Sequence, residues 1–215
     1  MILKRLFLFA ILICTGCLLL NAQIGSLGIK GGLNFSYMTI EDLDDQSMKP
    51  GFHAGVFKKF PVSEKFAIQP EVLYSTKGVK AVYDEEFLGV SIFEGETDFA
   101  LNYIDIPLYL VYNLAEDLNF HLGPYVGILL GANVDTQAEV LDFINIDDNE
   151  ELDRDHFNNT DFGISGGLGF QLSFVELGFN YNLGLSQVAP DDDVSEILLG
   201  DARNNVIQIY AGIIF

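Results

Sequence analysis

The chain has 215 residues, with 11 basic against 31 acidic side chains and a formal charge of −20. That argues against nucleic acid as a partner, since binding phosphate backbones takes a dense basic patch. Hydrophobic residues make up 49% and charged residues only 20%, so charge and apolar surface must occupy different regions. The 21 glycines, 18 phenylalanines and nine tyrosines favour strands and turns and exclude disorder for most of the chain.

The chain opens with Lys4 and Arg5, an apolar run from Leu6 to Leu20, and Asn21-Ala22-Gln23. This is the layout of a secretory signal peptide over residues 1–22, cleaved between Ala22 and Gln23. An N-terminal membrane anchor and lipoprotein processing at Cys17 are the alternatives. Cys17 lacks the aliphatic residue usual three places before it, and the apolar run is short for a spanning helix. Both cysteines, Cys14 and Cys17, lie in this segment. A mature chain, 23–215, would therefore have no thiolate chemistry, no disulfide and no cysteine-bound zinc. Its later apolar stretches are too short, or too broken by Asp105, Pro107, Gly127 and Gly131, for a spanning helix.

Beyond the leader, apolar residues recur with period two, the mark of half-buried strands. Leu27, Ile29, Leu33, Phe35 and Tyr37 lead the first segment, and Phe52, Ala54 and Val56 the second. Phe66, Ile68, Val72 and Tyr74 form the third, and Ile104, Ile106, Leu108, Leu110 and Tyr112 the fourth. In the fifth, Phe120, Leu122, Pro124, Val126, Ile128, Leu130 and Ala132 share one face. The sixth carries Phe162, Ile164, Leu168, Phe170, Leu172 and Phe174, the seventh Leu177, Phe179, Tyr181, Leu183 and Leu185. The eighth carries Ile207, Ile209, Ala211, Ile213 and Phe215. Each is close to the ~9–11 residues a tilted strand needs to cross a bilayer.

The connections alternate in length. Residues 61–65, 114–118 and the turn at Phe174-Val175 are short; 39–50, 83–98, 135–161 and 187–204 are long. The predicted fold is all-β: an eight-stranded antiparallel up-and-down transmembrane β-barrel, with long loops at one end and short turns and both termini at the other. The long loops hold 25 of the 31 acidic residues. The apolar face should point outward, to lipid. The opposite face is mainly Gly, Ser, Asn and Gln, with less Lys and Glu than a water-facing wall would carry, and Phe215 ends the chain in phase with the apolar face. Closure leaves no unpaired strand edge in hydrocarbon.

Three segments carry a family resemblance: Leu101-Asn102-Tyr103-Ile104-Asp105-Ile106-Pro107-Leu108, Gly123-Pro124-Tyr125-Val126-Gly127 and Phe162-Gly163-Ile164-Ser165-Gly166-Gly167-Leu168-Gly169-Phe170. With the signal end and terminal Phe215, they resemble the PorT-like outer-membrane β-barrel family over essentially the whole mature chain. The resemblance implies an integral outer-membrane, porin-like barrel of a Gram-negative bacterium, and implies little about activity.

Candidate inward charges are Lys30, Glu71, Lys77, Asp105 and Glu176. They read as a conduit or proton relay, or as an internal ion-pair network; a barrel this narrow favours the network. His156, beside Asp153 and Asp155, suggests a hydrolase dyad but has no visible further partners. His53 and His121 fall on the polar face. Asp147, Asp148, Asp191, Asp192 and Asp193 offer oxygen ligands for weak cation contact. The first run lacks the Gly and the twelfth-position acid of an EF-hand, so no dedicated metal site, cofactor or catalytic residue is expected. The glycines of 163–169 sit in a strand pattern that opens no helix, which excludes a phosphate loop. The expected function is structural or interaction-related, without catalysis. Outer-membrane lipid, and divalent cations or basic envelope proteins at acidic external loops, are the expected partners, with both termini periplasmic. The alternatives are a narrow ligand-binding or transport barrel, and a hydrolase or acyltransferase at the loop rim.

Overall fold

The computed structural model describes residues 25–39, 46–87, 90–140, 144–152, 158–188 and 202–215. Eight long strands close into one antiparallel barrel. In chain order they are β1 (Ser26–Thr39), β3 (Lys49–Pro61), β4 (Phe66–Phe87), β5 (Val90–Asn113), β6 (Leu118–Val140), β8 (Thr160–Leu172), β9 (Val175–Gly184) and β10 (Arg203–Ile214). Two further pieces, β2 (Gln46–Ser47) and β7 (Ile144–Leu152), pair only with β4 and β6. Chain neighbours pair throughout the barrel, and β1 meets β10 from Gly28↔Ile214 to Thr39↔Arg203, which closes the ring.

The alternation assigns the faces as the pattern predicts. A row of register partners, Leu168, Phe179, Ile209, Leu33 and Phe52, runs along the outside across β8, β9, β10, β1 and β3. Phe179, Ile209, Leu33 and Phe52 are each about half exposed, while Ser165, Asn180 and Gln208 are buried inside. Such an outer wall is stable only against lipid. Aromatic groups mark both ends of the apolar band, as they do at membrane interfaces. Tyr37 and Tyr181 share a 2.9 Å hydrogen bond toward the long-loop end, and Phe66 packs on Tyr112 at 5.0 Å beside the short turns.

The short connections fall at 62–65, 114–117 and Ser173-Phe174. The strand ends of both termini lie with them: Ile214 N–H donates to Phe174 O, and Phe215 N–H to Leu27 O, each at 2.8 Å.

Three expectations are corrected. Residues 83–98 are not a loop, because β4 and β5 continue their ladder out to Phe87↔Val90. Much of 135–161 is likewise a hairpin, in which β7 folds back on β6 from Val140↔Ile144 to Ala132↔Leu152. Acidic residues fill these strands, so they lack the apolar alternation that marks a wall. The third correction is Ala132, which is buried inside rather than facing out with Leu130. Asn102 pairs with Gly131 but Tyr103 pairs with Leu129, so Leu130 has no partner on β5. This β-bulge reverses the phase of β6 beyond it.

Candidate functional site

The barrel interior is filled by two lysine-centred clusters joined by an amide layer. Nearer the short turns, Lys30 Nζ lies 2.7 Å from Glu71 Oε2 and donates to Oε1 at 3.0 Å. Gln69 also donates to Glu71 Oε1, at 2.8 Å. The same ammonium sits 4.1 Å from the Tyr210 ring centroid and 5.8 Å from that of Tyr109. The Tyr210 hydroxyl donates to Glu176 at 3.0 Å. Toward the long loops, Lys77 Nζ donates to Asp105 at 2.9 Å and Asp161 at 2.8 Å. It stands 4.7 Å from the ring centroids of both Tyr103 and Tyr125. Each lysine is therefore flanked by two tyrosine rings and bonded to carboxylate, the arrangement a buried ion needs to offset lost hydration.

Between the clusters, Asn34 Nδ2 donates to Ser75 at 3.0 Å, and its Oδ1 accepts from Gln208 Nε2 at 3.1 Å. His53 Nδ1 lies 2.7 Å from Asn34 Oδ1, and His121 Nε2 lies 2.6 Å from Asn180 Oδ1. Tyr109 and Ser165 share a 2.7 Å hydroxyl contact. Ser165 also donates to Asn182, so its hydroxyl is engaged on both sides and faces no open cleft.

Among the described residues, buried apolar side chains stand at both ends of this polar column. Above Lys77, Met38, Val79, Leu101, Tyr103, Leu129, Ala132, Val188 and Ala202 form one buried apolar cluster. The bulge at Leu130 contributes Ala132 to it, and the Val188 N–H…O=C Ala202 bond of 2.8 Å ties in the last long connection. At the other end stand Phe57, Ala67 and Val111, each nearly inaccessible. A Cβ on Gly28 would come within 2.2 Å of the Phe57 ring, so only glycine there lets that ring lie across the lumen.

All five charges expected inside, Lys30, Glu71, Lys77, Asp105 and Glu176, are buried there. Sequence reasoning placed Asp161 in a loop and missed its role. Its parity, one place before outward Phe162, was the available signal. His53 and His121 lie inside, as their strand positions suggest. His156, Asp191, Asp192, Asp193, Ala22 and Gln23 fall outside the described residues. Asp147 and Asp148 are consecutive on β7, opposite Gln137 and Thr136, and consecutive strand positions belong to opposite faces of a sheet.

Beyond the wall, β4, β5, β6 and β7 form a four-stranded extension whose register sorts charge. Lys80, Asp98, Asp135 and Asn149 make one row, followed by Val82, Glu96, Gln137 and Asp147, then Asp84, Glu94, Glu139 and Asn145. These alternate rows share a face with seven acidic positions and one lysine. The rows of the other parity hold Val79, Phe99, Val134 and Glu150, then Ala81, Thr97, Thr136 and Asp148, then Tyr83, Gly95, Ala138 and Ile146, so that face carries only two acids.

At the long-loop rim, on the outer side of β8, β9 and β10, a cleft of about 590 Å³ opens between Asn158, Asn159, Thr160, Phe162, Leu185, Ser186, Gln187 and Arg203. Leu185 N–H donates to Phe162 O at 2.9 Å, which sets these two side by side. Ser186 Oγ donates to Asp161 Oδ1 at 2.9 Å and accepts from Phe162 N–H at the same distance.

Residues 21–189 match the family model described as outer membrane protein beta-barrel domain. No curated protein matches. Among solved structures the chain is similar to Ail, the attachment invasion locus protein of Yersinia pestis, at 11% identity and TM-score 0.47, covering 90% of this chain and 100% of that one. It is similar also to Neisserial surface protein A, at 11% identity and TM-score 0.48, covering 89% and 99%. A major outer membrane protein from Thermus thermophilus matches at 11% identity and TM-score 0.46, again over 89% and 99%. The family match spans most of the chain and agrees with the closed, lipid-faced wall: the chain belongs to the outer membrane protein beta-barrel domain family, as an integral protein of the bacterial outer membrane.

Proposed function

We propose that this barrel is a non-catalytic, non-conducting interaction protein that works through its acidic long-loop end. The observation that carries the reading is the filled interior. An ion-paired column lies between two groups of buried apolar residues, which favours a lumen without a wet path or an open site. What then reaches outward is the acid-faced extension of β4 to β7. Like charges stand directly opposite one another there, at Asp84↔Glu94, Glu94↔Glu139 and Asp98↔Asp135. Such pairs destabilise a sheet in isolation, so the face favours a counter-charge: basic envelope proteins first, divalent cations second. The same reading places the short turns and both termini in the periplasm, after export on a signal peptide of residues 1–22. It keeps the PorT-like affiliation that the strand motifs around Asp105, Pro124 and Gly166 resemble.

The test pairs two measurements on the purified full-length protein. Planar bilayers should show no step conductance, and lysine-rich peptides should be retained in low salt and released as screening rises. Defined single-channel steps would replace this reading with a transport barrel. Failure to retain basic peptides at low salt would remove the acidic face as the working surface.

A further inference from the structure

We propose that the rim cleft at Arg203 is a binding site for an outer-leaflet lipid with a phosphate headgroup. Arg203 opens β10, is exposed and pairs in register with exposed Thr39, which places it at the outer rim although Asn205 on the same parity is buried. Phe162 is 51% exposed and Leu185 43%, and both border the same cleft. An aromatic ring, an aliphatic side chain and a guanidinium thus meet where the apolar wall gives way to the polar rim.

The charge pattern selects the ligand. The long connections carry 25 acidic residues, yet the described lining of this cleft holds one cation and no carboxylate. Asp161, the described acid that adjoins the lining between Thr160 and Phe162, is turned inward and engaged by Lys77 and Ser186. Lys49, another cation of these connections, pairs with Asp98 at 3.2 Å, whereas the Arg203 guanidinium pairs with no group among the described residues. An arginine fork matches phosphate oxygens in geometry as well as charge. Thr160 and Asn159, both exposed beside it, add hydroxyl and amide donors. The acyl chain of the same molecule would lie down the wall on Phe162 and Leu185. A free anion would gain nothing from that apolar bed, and a soluble peptide would meet the bilayer, so the amphiphile fits the whole cleft.

The experiment uses the full-length protein in phosphatidylcholine nanodiscs carrying chain-spin-labelled phosphatidic acid or chain-spin-labelled phosphatidylcholine. The motionally restricted fraction reports lipid held at the wall. Phosphatidic acid should be enriched about fivefold over phosphatidylcholine, the equivalent of one interfacial cation. Arg203→Gln should abolish the enrichment and Arg203→Lys keep part of it. Lys58→Gln, near the opposite end of the barrel, should leave it unchanged. Thr160→Glu puts a carboxylate into the cleft without touching Arg203. It should remove the enrichment too, so the result does not hang on one variant folding. Undiminished enrichment in Arg203→Gln, or an equal loss in Lys58→Gln, would overturn the site. Displacement of the lipid by millimolar inorganic phosphate would also overturn it, in favour of a free-anion site.

Discussion

Lys77 on β4 and Asp161 on β8 join across the lumen at 2.8 Å, although two strands, β5 and β6, separate theirs in the sheet. Backbone ladders tie each strand only to its neighbours. This ion pair, with Asp105 as a second acceptor at 2.9 Å, is a bond between non-adjacent staves of the barrel.

Lys77→Met should therefore be among the most damaging interior changes. It leaves Asp105 and Asp161 buried and uncompensated, a loss on the order of 3–5 kcal/mol. The triple variant Lys77→Met, Asp105→Asn, Asp161→Asn should recover much of that stability, because no unpaired charge is left. Urea unfolding in detergent, followed by far-UV circular dichroism, reads both. A triple variant no better than the single one would show that the attraction itself, rather than relief of buried charge, is what matters.

The wall gives a second prediction. Phe179 is 49% exposed in the outer row between Leu168 and Ile209. Phe179→Arg should cost ~2–4 kcal/mol if that row lies near the bilayer midplane. Thr160→Arg, at the rim, should cost about 0–1 kcal/mol. Folding titrations into lipid vesicles compare the two, and equal costs would mean that the row does not lie in hydrocarbon.

These faces are legible in the sequence because a pleat has a fixed period, and Leu33, Phe52, Phe179 and Ile209 all keep it. What escapes is non-periodic. The bulge at Leu130 adds one residue without a composition signal, so the alternation puts Ala132 on the wrong side. The extension of β4 and β5 to Phe87↔Val90 is hidden by its acids, which pattern reasoning assigns to loops. The partnership of Lys77 with Asp161 depends on strand stagger around the closed barrel, and no local spacing encodes that.

Ser173 supplies a prediction about the short-turn end. It begins the two-residue connection of β8 to β9 with φ of 58°, the position of a type II′ hairpin that glycine fills most easily. Holding a side chain there costs roughly 1–2 kcal/mol, and glycine returns part of that as unfolded-state entropy. Ser173→Gly should raise stability by about 0.5 kcal/mol. A urea midpoint that falls instead would show that the serine side chain holds the turn.

The acid-faced extension can be tested at a single position. Glu94 stands opposite Asp84 on β4 and Glu139 on β6, so Glu94→Lys turns two repulsive cross-strand pairs into attractive ones. Each conversion is worth roughly 0.2–1 kcal/mol. The extension should then resist limited proteolysis within 81–97 better than the wild type, while the barrel's unfolding midpoint is unchanged, since the wall ladders lie below it. The same substitution should weaken retention of lysine-rich peptides, because it places a cation in the middle of the acidic face. The two effects must appear together. A sturdier extension that binds basic peptides as well as before would mean that the acids of this face are not what recognises them, and would move the interaction surface to the other long connections.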